Sequence, residues 1–345
     1  EGFHEAQPGL GWESAYHSKG IKPMDKKLIA VAAASALALP MAAHALEGSV
    51  SGHIGRMITH VDGQNEAENG PKWDHKGLGA SGTRFRFTGS EDLENGVTVG
   101  VNLEYGAGDG TQSGNPGIRH SALTFSGAFG SIAGGQTGPA TNGTNDDLSA
   151  SGLAVGMACD NAAAGNKNCP DFTASRRGVV KYTTPAIGAL GVSGSFAKDF
   201  ADAQVTASGE LGGGSYALRA SFANFGDDTD VTTDTAGDVF SAAAAFKVGG
   251  ISASTLWGSV RPDMDGNDSD GFGVKLGYDF GDSGIGLVFR QTEMDSNNAE
   301  PTTWGIGVQH NMMGVDLLAG YYSYDPDEDG MDETNTFAVG SRIKF

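Results

Sequence analysis

The stretch Phe272-Gly273-Val274-Lys275-Leu276-Gly277-Tyr278-Asp279-Phe280 decides the fold. Every second residue is large and apolar, and the residues between are small or charged. A period of two places the two sets on opposite faces of an extended strand. The alternation returns at Val97, Val99, Val101, Leu103 and Tyr105, with Thr98, Asn102 and Glu104 on the other parity. It returns again at Tyr216, Leu218, Ala220 and Phe222, at Phe240, Ala242, Ala244, Phe246 and Val248, and at Phe337, Val339, Ser341, Ile343 and Phe345. Sixteen such segments begin near Gly48, Ser81, Val97, Gly117, Gly130, Arg176, Leu190, Asp202, Gly214, Asp238, Ile251, Gly271, Gly284, Thr302, Val315 and Thr334.

The connections are of two kinds. Short ones, such as Gly249-Gly250 and Gly281-Asp282-Ser283, fit tight turns. Long ones run 62–80, 108–116, 138–175, 225–237, 261–270, 295–301 and 325–333. Long and short alternate, so one end of the sheet carries turns and the other carries loops. The junction near Phe200–Ala201 is the exception, being short where a long one is due. An even number of meandering strands with this asymmetry predicts an all-β fold, a sixteen-stranded antiparallel transmembrane β-barrel. A secreted soluble β-sandwich, acting as a binding protein, is the rival, but it would pack an apolar core between two sheets. Parity alone leaves open which face points outward. Strand number, export and the chain end decide it: Ser341-Arg342-Ile343-Lys344-Phe345 resembles the C-terminal signal of bacterial outer-membrane proteins.

Composition agrees by exclusion. The chain has 345 residues, with 42 acidic and 22 basic side chains and a formal charge of -20. That balance argues against nucleic acid as a partner. The 55 glycines are roughly twice the usual share and show no three-residue repeat, which excludes collagen. Beyond one early segment, no run approaches the about 20 apolar residues of a membrane helix.

That early segment is an address. Met24-Asp25-Lys26-Lys27 leads into Leu28 through Leu39, then Pro40 and Ala43-His44-Ala45. A basic start, a short apolar stretch and an A-x-A end make a secretory signal peptide over 24–45. Residues 1–23 then form an upstream extension outside the mature protein, and 46–345 form the barrel. The prefix through Ala45 holds as many acids as bases, so removing it leaves the charge at -20. Export makes a disulfide between Cys159 and Cys169 possible. A zinc pair is the alternative, without a second Cys/His pair nearby. The bridge is the favoured reading.

The sequence resembles the Gram-negative general porins, trimeric sixteen-stranded diffusion channels. The resemblance is carried by Val50-Ser51-Gly52-His53-Ile54, by Ser81 through Leu93 with Asn95-Gly96, by Arg119-His120 leading to Phe125-Ser126-Gly127, by Phe129-Gly130-Ser131 with Gly135-Gln136, and by the terminal Phe345. It implies a cell outer-membrane location in a Gram-negative bacterium, outer-membrane lipid as the surroundings, a homotrimer, and passive diffusion of ions and small hydrophilic solutes. It also implies a long third loop folded into the pore. The matching connection is 138–175, the longest in the chain, and a Cys159–Cys169 bridge would restrain it.

A passive pore requires a wetted lumen, a constriction and a field rather than a nucleophile. It is not expected to be an enzyme and requires no cofactor. Parity places Arg84, Arg86, Arg177, Lys181, Arg219, Lys247, Lys275, Arg290, Arg342 and Lys344 on the lumen face, with Glu104, Asp279 and Asp316 as inward acids. The third loop supplies Asp146, Asp147, Asp160 and Asp171 opposite. The resemblance makes Arg84, Arg86, Arg177 and those acids a charged eyelet. Equally, some of the bases can serve to hold the loop by pairing with its carboxylates. Ten lumen bases argue for anions, and the acidic mouth and loop argue for cations. Wall charges near the narrowing weigh more than distant loop charges, which salt screens within about 8–10 Å, so the balance leans to anions. Arg56 shares parity with Ile54 and Ile58, so either a bulge intervenes or it meets another subunit. Most of the negative charge lies in the long loops. There, Asp325, Asp327, Asp329 and Gly330 match the start of a calcium loop at positions 1, 3, 5 and 6, although Thr336 stands where the last ligand is due. Calcium is therefore a possible ion at an external loop. An outer-membrane barrel adhesin or enzyme shares the architecture, and an enzyme of that kind would show a Ser/His or Asp/His pair near one rim.

Overall fold

The computed structural model describes residues 47–63, 72–77, 83–106, 117–142, 172, 174–226, 237–263, 268–328 and 331–345. The extension 1–23, the signal segment 24–45, both cysteines, the loop acids Asp146, Asp147, Asp160 and Asp171, and Asp329 lie outside those residues.

Alternation gives strands wherever it was read. In chain order these are β1 (Glu47–Asp62), β2 (Lys72–Gly77), β3 (Arg84–Asp92), β4 (Thr98–Gly106), β5 (Gly117–Gly127), β6 (Gly130–Thr137), β7 (Arg177–Thr183), β8 (Leu190–Ala197) and β9 (Phe200–Leu211). They continue as β10 (Gly214–Phe225), β11 (Gly237–Val248), β12 (Ile251–Pro262), β13 (Ser269–Phe280), β14 (Ser283–Met294), β15 (Thr302–Met312), β16 (Val315–Asp325) and β17 (Thr334–Lys344). From β3 onward each strand pairs antiparallel with the next. β1 closes the ring against β17, from His53 opposite Lys344 to Asp62 opposite Asn335.

The seventeenth strand corrects one expectation. The first half of β1 pairs with β3 and the second half with β2, so β2 and β3 are two parts of one barrel strand. The barrel is thus a closed ring of sixteen antiparallel strands. The connection expected over 62–80 is shorter, because Lys72–Gly77 adds to the sheet. Six residues are too few to show alternation over a useful length, and this segment is mostly polar.

Turns and loops sort to opposite ends. The turn between β9 and β10 is Gly212-Gly213, at φ 62° and 78°, and that between β15 and β16 is Met313-Gly314, at 54° and 85°. Paired positive φ values match the twist of flanking strands in two-residue hairpins. At the loop end, the β8–β9 hairpin has only Lys198-Asp199, as its spacing predicted.

Continuous register fixes the two faces. Ile54 and Ile58 on β1, Leu218 on β10, Leu276 on β13, Ile306 on β15 and Val339 on β17 are large, apolar and exposed. Their neighbours of opposite parity, including Glu104, Asp202, Tyr322 and Ala338, are buried. The apolar face is therefore the outer one, where lipid lies. Near the loop end an aromatic belt follows the ladder through Phe222, Phe240, Trp257, Phe272, Phe289, Trp304, Tyr321, Phe337, His60 and Trp73. Within it, Phe222 and Phe240 are 4.8 Å apart, and Trp304 and Tyr321 5.4 Å. Tyr216, Phe246, Tyr278 and Phe280 mark the turn end. From Phe272 to Phe280 a strand rises about 27 Å, or about 20 Å along the axis of a barrel with typical tilt, close to the apolar band of outer-membrane barrels.

Candidate functional site

The inner face carries every basic residue that parity placed there. Register puts Arg84 and Arg86 on β3, Arg177 and Lys181 on β7, Arg219 on β10, Lys247 on β11, Lys275 on β13, Arg290 on β14, and Arg342 and Lys344 on β17, all on the buried-polar side. Several of them fall into separate groups built around an acid or an aromatic ring.

The densest group surrounds Glu104, whose side chain is 1% exposed. Arg86 lies directly across the ladder from it. Its Nε donates to the Glu104 Oε2 at 2.6 Å, and its Nη2 also contacts that oxygen. The Arg119 Nε donates to Oε1 at 2.8 Å, and the Arg84 Nε stands 3.9 Å from Oε1. Three guanidiniums about one carboxylate leave a local excess of positive charge. The arrangement depends on a shift of register between Glu104 and Tyr105 opposite β5. One extra residue on β5 lets Arg119 and His120, adjacent in sequence, both turn to the lumen, as β-bulges do. The His120 Nδ1 meets the Thr137 Oγ1 at 3.3 Å, and its Nε2 accepts from the Arg176 Nε at 3.3 Å.

A second group fastens both ends of the β6–β7 connection. The Asp202 carboxylate accepts from the Thr141 N–H at 2.7 Å, from the Thr141 hydroxyl at 2.8 Å and from the Ser195 N–H at 3.0 Å, and it also contacts the Ser195 hydroxyl. The Ala140 N–H donates to the Ser195 Oγ at 3.1 Å, and the Lys181 Nζ donates to the Gly138 carbonyl at 2.9 Å. The returning end is tied to the outgoing one: the Asn142 Nδ2 donates to the Ala174 carbonyl at 2.9 Å. Buried hydrogen bonds to a carboxylate are each stabilising by about 1.5–3 kcal/mol.

Apolar contact adds to this fastening. Phe172 and Ala174 are buried among Val179, Phe200, Ala223, Phe225, Val239, Ala243 and Leu256, all on inner-face positions. Arg177 stacks over Phe200 at 4.2 Å and over Phe225 at 4.9 Å, and Arg290 over Phe172 at 5.1 Å. Toward the turn end, the Arg342 Nε and Nη2 donate to the Asp316 Oδ2 at 3.0 and 2.9 Å, and the Lys344 Nζ lies 3.3 Å from the same oxygen. Lys247 and Asp279 pair at 3.4 Å. All three inward acids that parity proposed are therefore matched to bases on the same wall.

The external acidic stretch is organised differently. The Asp325 carboxylate accepts from the Asp327 N–H at 3.0 Å, and Asp327 accepts from the Glu300 N–H at 2.9 Å. No three metal-ligating side chains converge among the described residues.

The sequence reading left out Arg119, His120, Arg176, Asp202 and Phe172. A bulge has no signature in this sequence, so two successive inward residues could not be anticipated. Asp202 was different: its parity with Gln204 and Thr206 already placed it inside.

The family model described as Gram-negative porin matches residues 30–329. No curated protein matches the sequence. Among solved structures, the anion-selective porin from Comamonas acidovorans is similar at 17% identity and TM-score 0.69, covering 87% of this chain and 100% of that one. OmpT lacking loop L8, an outer membrane protein of Vibrio cholerae, is similar at 16% identity and TM-score 0.61, over 88% of this chain and 100% of that one. A multiple mutant of the Rh. blastica porin is similar at 15% identity and TM-score 0.60, over 86% and 100%.

Proposed function

The chain belongs to the Gram-negative porin family, and on that premise we propose how its channel sorts the solutes that enter it. It is an outer-membrane protein, a water-filled channel through which ions and small hydrophilic solutes diffuse passively. The proposal is that the group about Glu104 is the discriminating station and that it favours anions. One observation carries it: a single buried carboxylate is shared by Arg84, Arg86 and Arg119, so its charge is more than offset. The similar Comamonas porin is described as anion-selective, which agrees.

The β6–β7 connection is proposed to narrow the lumen. Support comes from Phe172 on the inner wall and from Thr141 bonded to Asp202. With Asp146, Asp147, Asp160 and Asp171 facing the bases, a transverse field would orient water and polar solutes. A Cys159–Cys169 bridge would tighten that loop further. No covalent step is proposed in its action. A homotrimer is proposed as the working form, with Arg56 at a subunit contact. Arg56 shares the outer parity of Ile54 and Ile58, and the ladder to β17 runs unbroken past it, which leaves no bulge on that side. An arginine facing lipid near mid-depth costs about 2–4 kcal/mol, and a second subunit would cover it. Calcium at Asp325, Asp327 and Asp329 is a weaker proposal, and calcium-independent proteolysis of the external loop would end it.

The test is reconstitution of protein lacking residues 1–45 in a planar bilayer under a salt gradient. Stepwise conductance with an anion-preferring reversal potential is expected. A cation-preferring potential would remove the proposed role of the Glu104 group.

A further inference from the structure

Arg119 reaches Glu104 across the backbone of β4, over a residue that has no side chain. It is the extra residue of the β5 bulge, between Ile118, which lies opposite Tyr105, and His120, which lies opposite Glu104. Its side chain leaves β5 and crosses to β4, where its Nε donates to the Glu104 Oε1 at 2.8 Å. Gly106 is two residues beyond Glu104, so it shares the inner face, about 7 Å further along the strand. On its other side Gly106 lies opposite Arg84, whose Nε stands 3.9 Å from the same Oε1. Gly106 is therefore the floor between two of the three arginine arms.

That floor has no room for a β-carbon. One built on Gly106 would lie 2.8 Å from the Arg119 Cδ, 3.3 Å from its Cγ and 3.9 Å from its Nε. Two carbons attract at about 3.5–4.0 Å and repel well inside that range, so one side must yield. The wall is the stiffer side, because β4 is paired along both edges, with β3 and with β5. The arginine stem turns about its own single bonds and gives way. A β-carbon on the inner face projects into the lumen, so the stem is lifted off the wall and its Nε is drawn away from Glu104. Gly100, on the same strand and face, is different: there the nearest atom to a β-carbon, the Thr124 Cβ, would lie at 3.8 Å, an ordinary contact.

We propose that Gly106 is a positioning residue of the channel, whose bare backbone lets Arg119 lie against β4 and share Glu104 with Arg86. Its effect on selectivity rests on the reading that the Glu104 group is the discriminating station. A single carbon added at position 106 changes no charge. It moves one: the Arg119 guanidinium leaves the carboxylate that holds it to the wall and stands nearer the path of the ions. Preference for anions then rises on a barrel whose strands, register and complement of charged residues are unaltered.

Two measurements on the whole channel test this. The first compares nitrogen-15 spectra of arginine-labelled protein in micelles for wild type, Gly106→Ala and Gly100→Ala. The Arg119 Nε–H signal is identified by its loss in Arg119→Gln. It should shift in G106A and keep its place in G100A. An unmoved signal in G106A, or an equal shift in G100A, would overturn the proposal. The second is the reversal potential in a salt gradient. G106A should raise the anion-to-cation permeability ratio about two-fold, the effect of bringing one charge from roughly 8 Å to roughly 6 Å from an ion in water. G106A combined with R119Q should behave as R119Q alone. A shift of undiminished size on the R119Q background would also overturn the proposal, because the effect would then bypass Arg119. If the Arg119 signal moves in G106A while the reversal potential does not, the positioning role stands and the reading of the Glu104 group as the discriminating station falls.

Discussion

Phe172 occupies the space in which a side chain on Gly258 would stand: a β-carbon there would lie 2.0 Å from the Phe172 Cγ. Gly271, its neighbour across the ladder, would bring a β-carbon to 2.9 Å from the Phe172 Cζ. The two glycines form a seat on the inner wall for a ring from the long connection. Gly258→Ala should expel the ring at a cost of about 1–3 kcal/mol. The barrel should persist as a heat-resistant band on gels, with altered single-channel conductance. Unaltered conductance would mean that the ring has no bearing on the lumen.

Removing charge from the Glu104 group should move selectivity in opposite directions. Glu104→Gln removes the charge shared by Arg86 and Arg119 and replaces one of its two acceptor oxygens with a donor. Stability should fall by about 1.5–3 kcal/mol in denaturant titrations, and preference for anions should rise. Arg86→Gln should lower that preference about two-fold per charge lost. Reversal potentials in a potassium chloride gradient measure both.

Asp202 is the anchor of the outgoing end of the connection. Asp202→Ala removes the acceptor for two groups of Thr141 and for the Ser195 N–H. Each donor left buried and unmatched costs about 1–3 kcal/mol. Limited proteolysis between Thr137 and Arg177 should accelerate while the strands stay protected. Unchanged cleavage would show that Lys181 and the apolar contacts suffice.

Arg56→Glu should weaken association of subunits. Its place between Ile54 and Ile58 on the outer face opposes Ser341 on β17. Semi-native gels should show monomer for the variant and the proposed trimer for wild type. Trimers as resistant as wild type would place the contact elsewhere on the wall.

Much of the barrel was legible because one physical rule, a period of two, governs each long strand. The starts read near Gly214, Ile251, Thr302, Val315 and Thr334 coincide with those observed. Lys72–Gly77 escaped because a short polar strand carries no apolar phase. The inner bases were legible for the same reason as the strands. Their groupings were not, since Glu104 and Arg119 meet through a register shift, and Asp202 and Thr141 meet through a loop that leaves the sheet. Phe172 lay beyond any periodic rule, in a connection whose path only tertiary contact defines.

The two-residue hairpin Lys198-Asp199 gives the channel a lopsided entrance. Every other connection at that end has at least six residues, and this one stops as soon as β8 and β9 part. The hairpin is fixed there, because the Gly226 N–H donates to the Asp199 carbonyl at 2.8 Å. A solute arriving at that end therefore meets a low sill on this side, where the chain turns back after two residues. Behind that sill stand Phe200 and Phe225 with Arg177 stacked on them. An ion that passes the sill runs along a wall on which a cation, Arg177, is held against two rings.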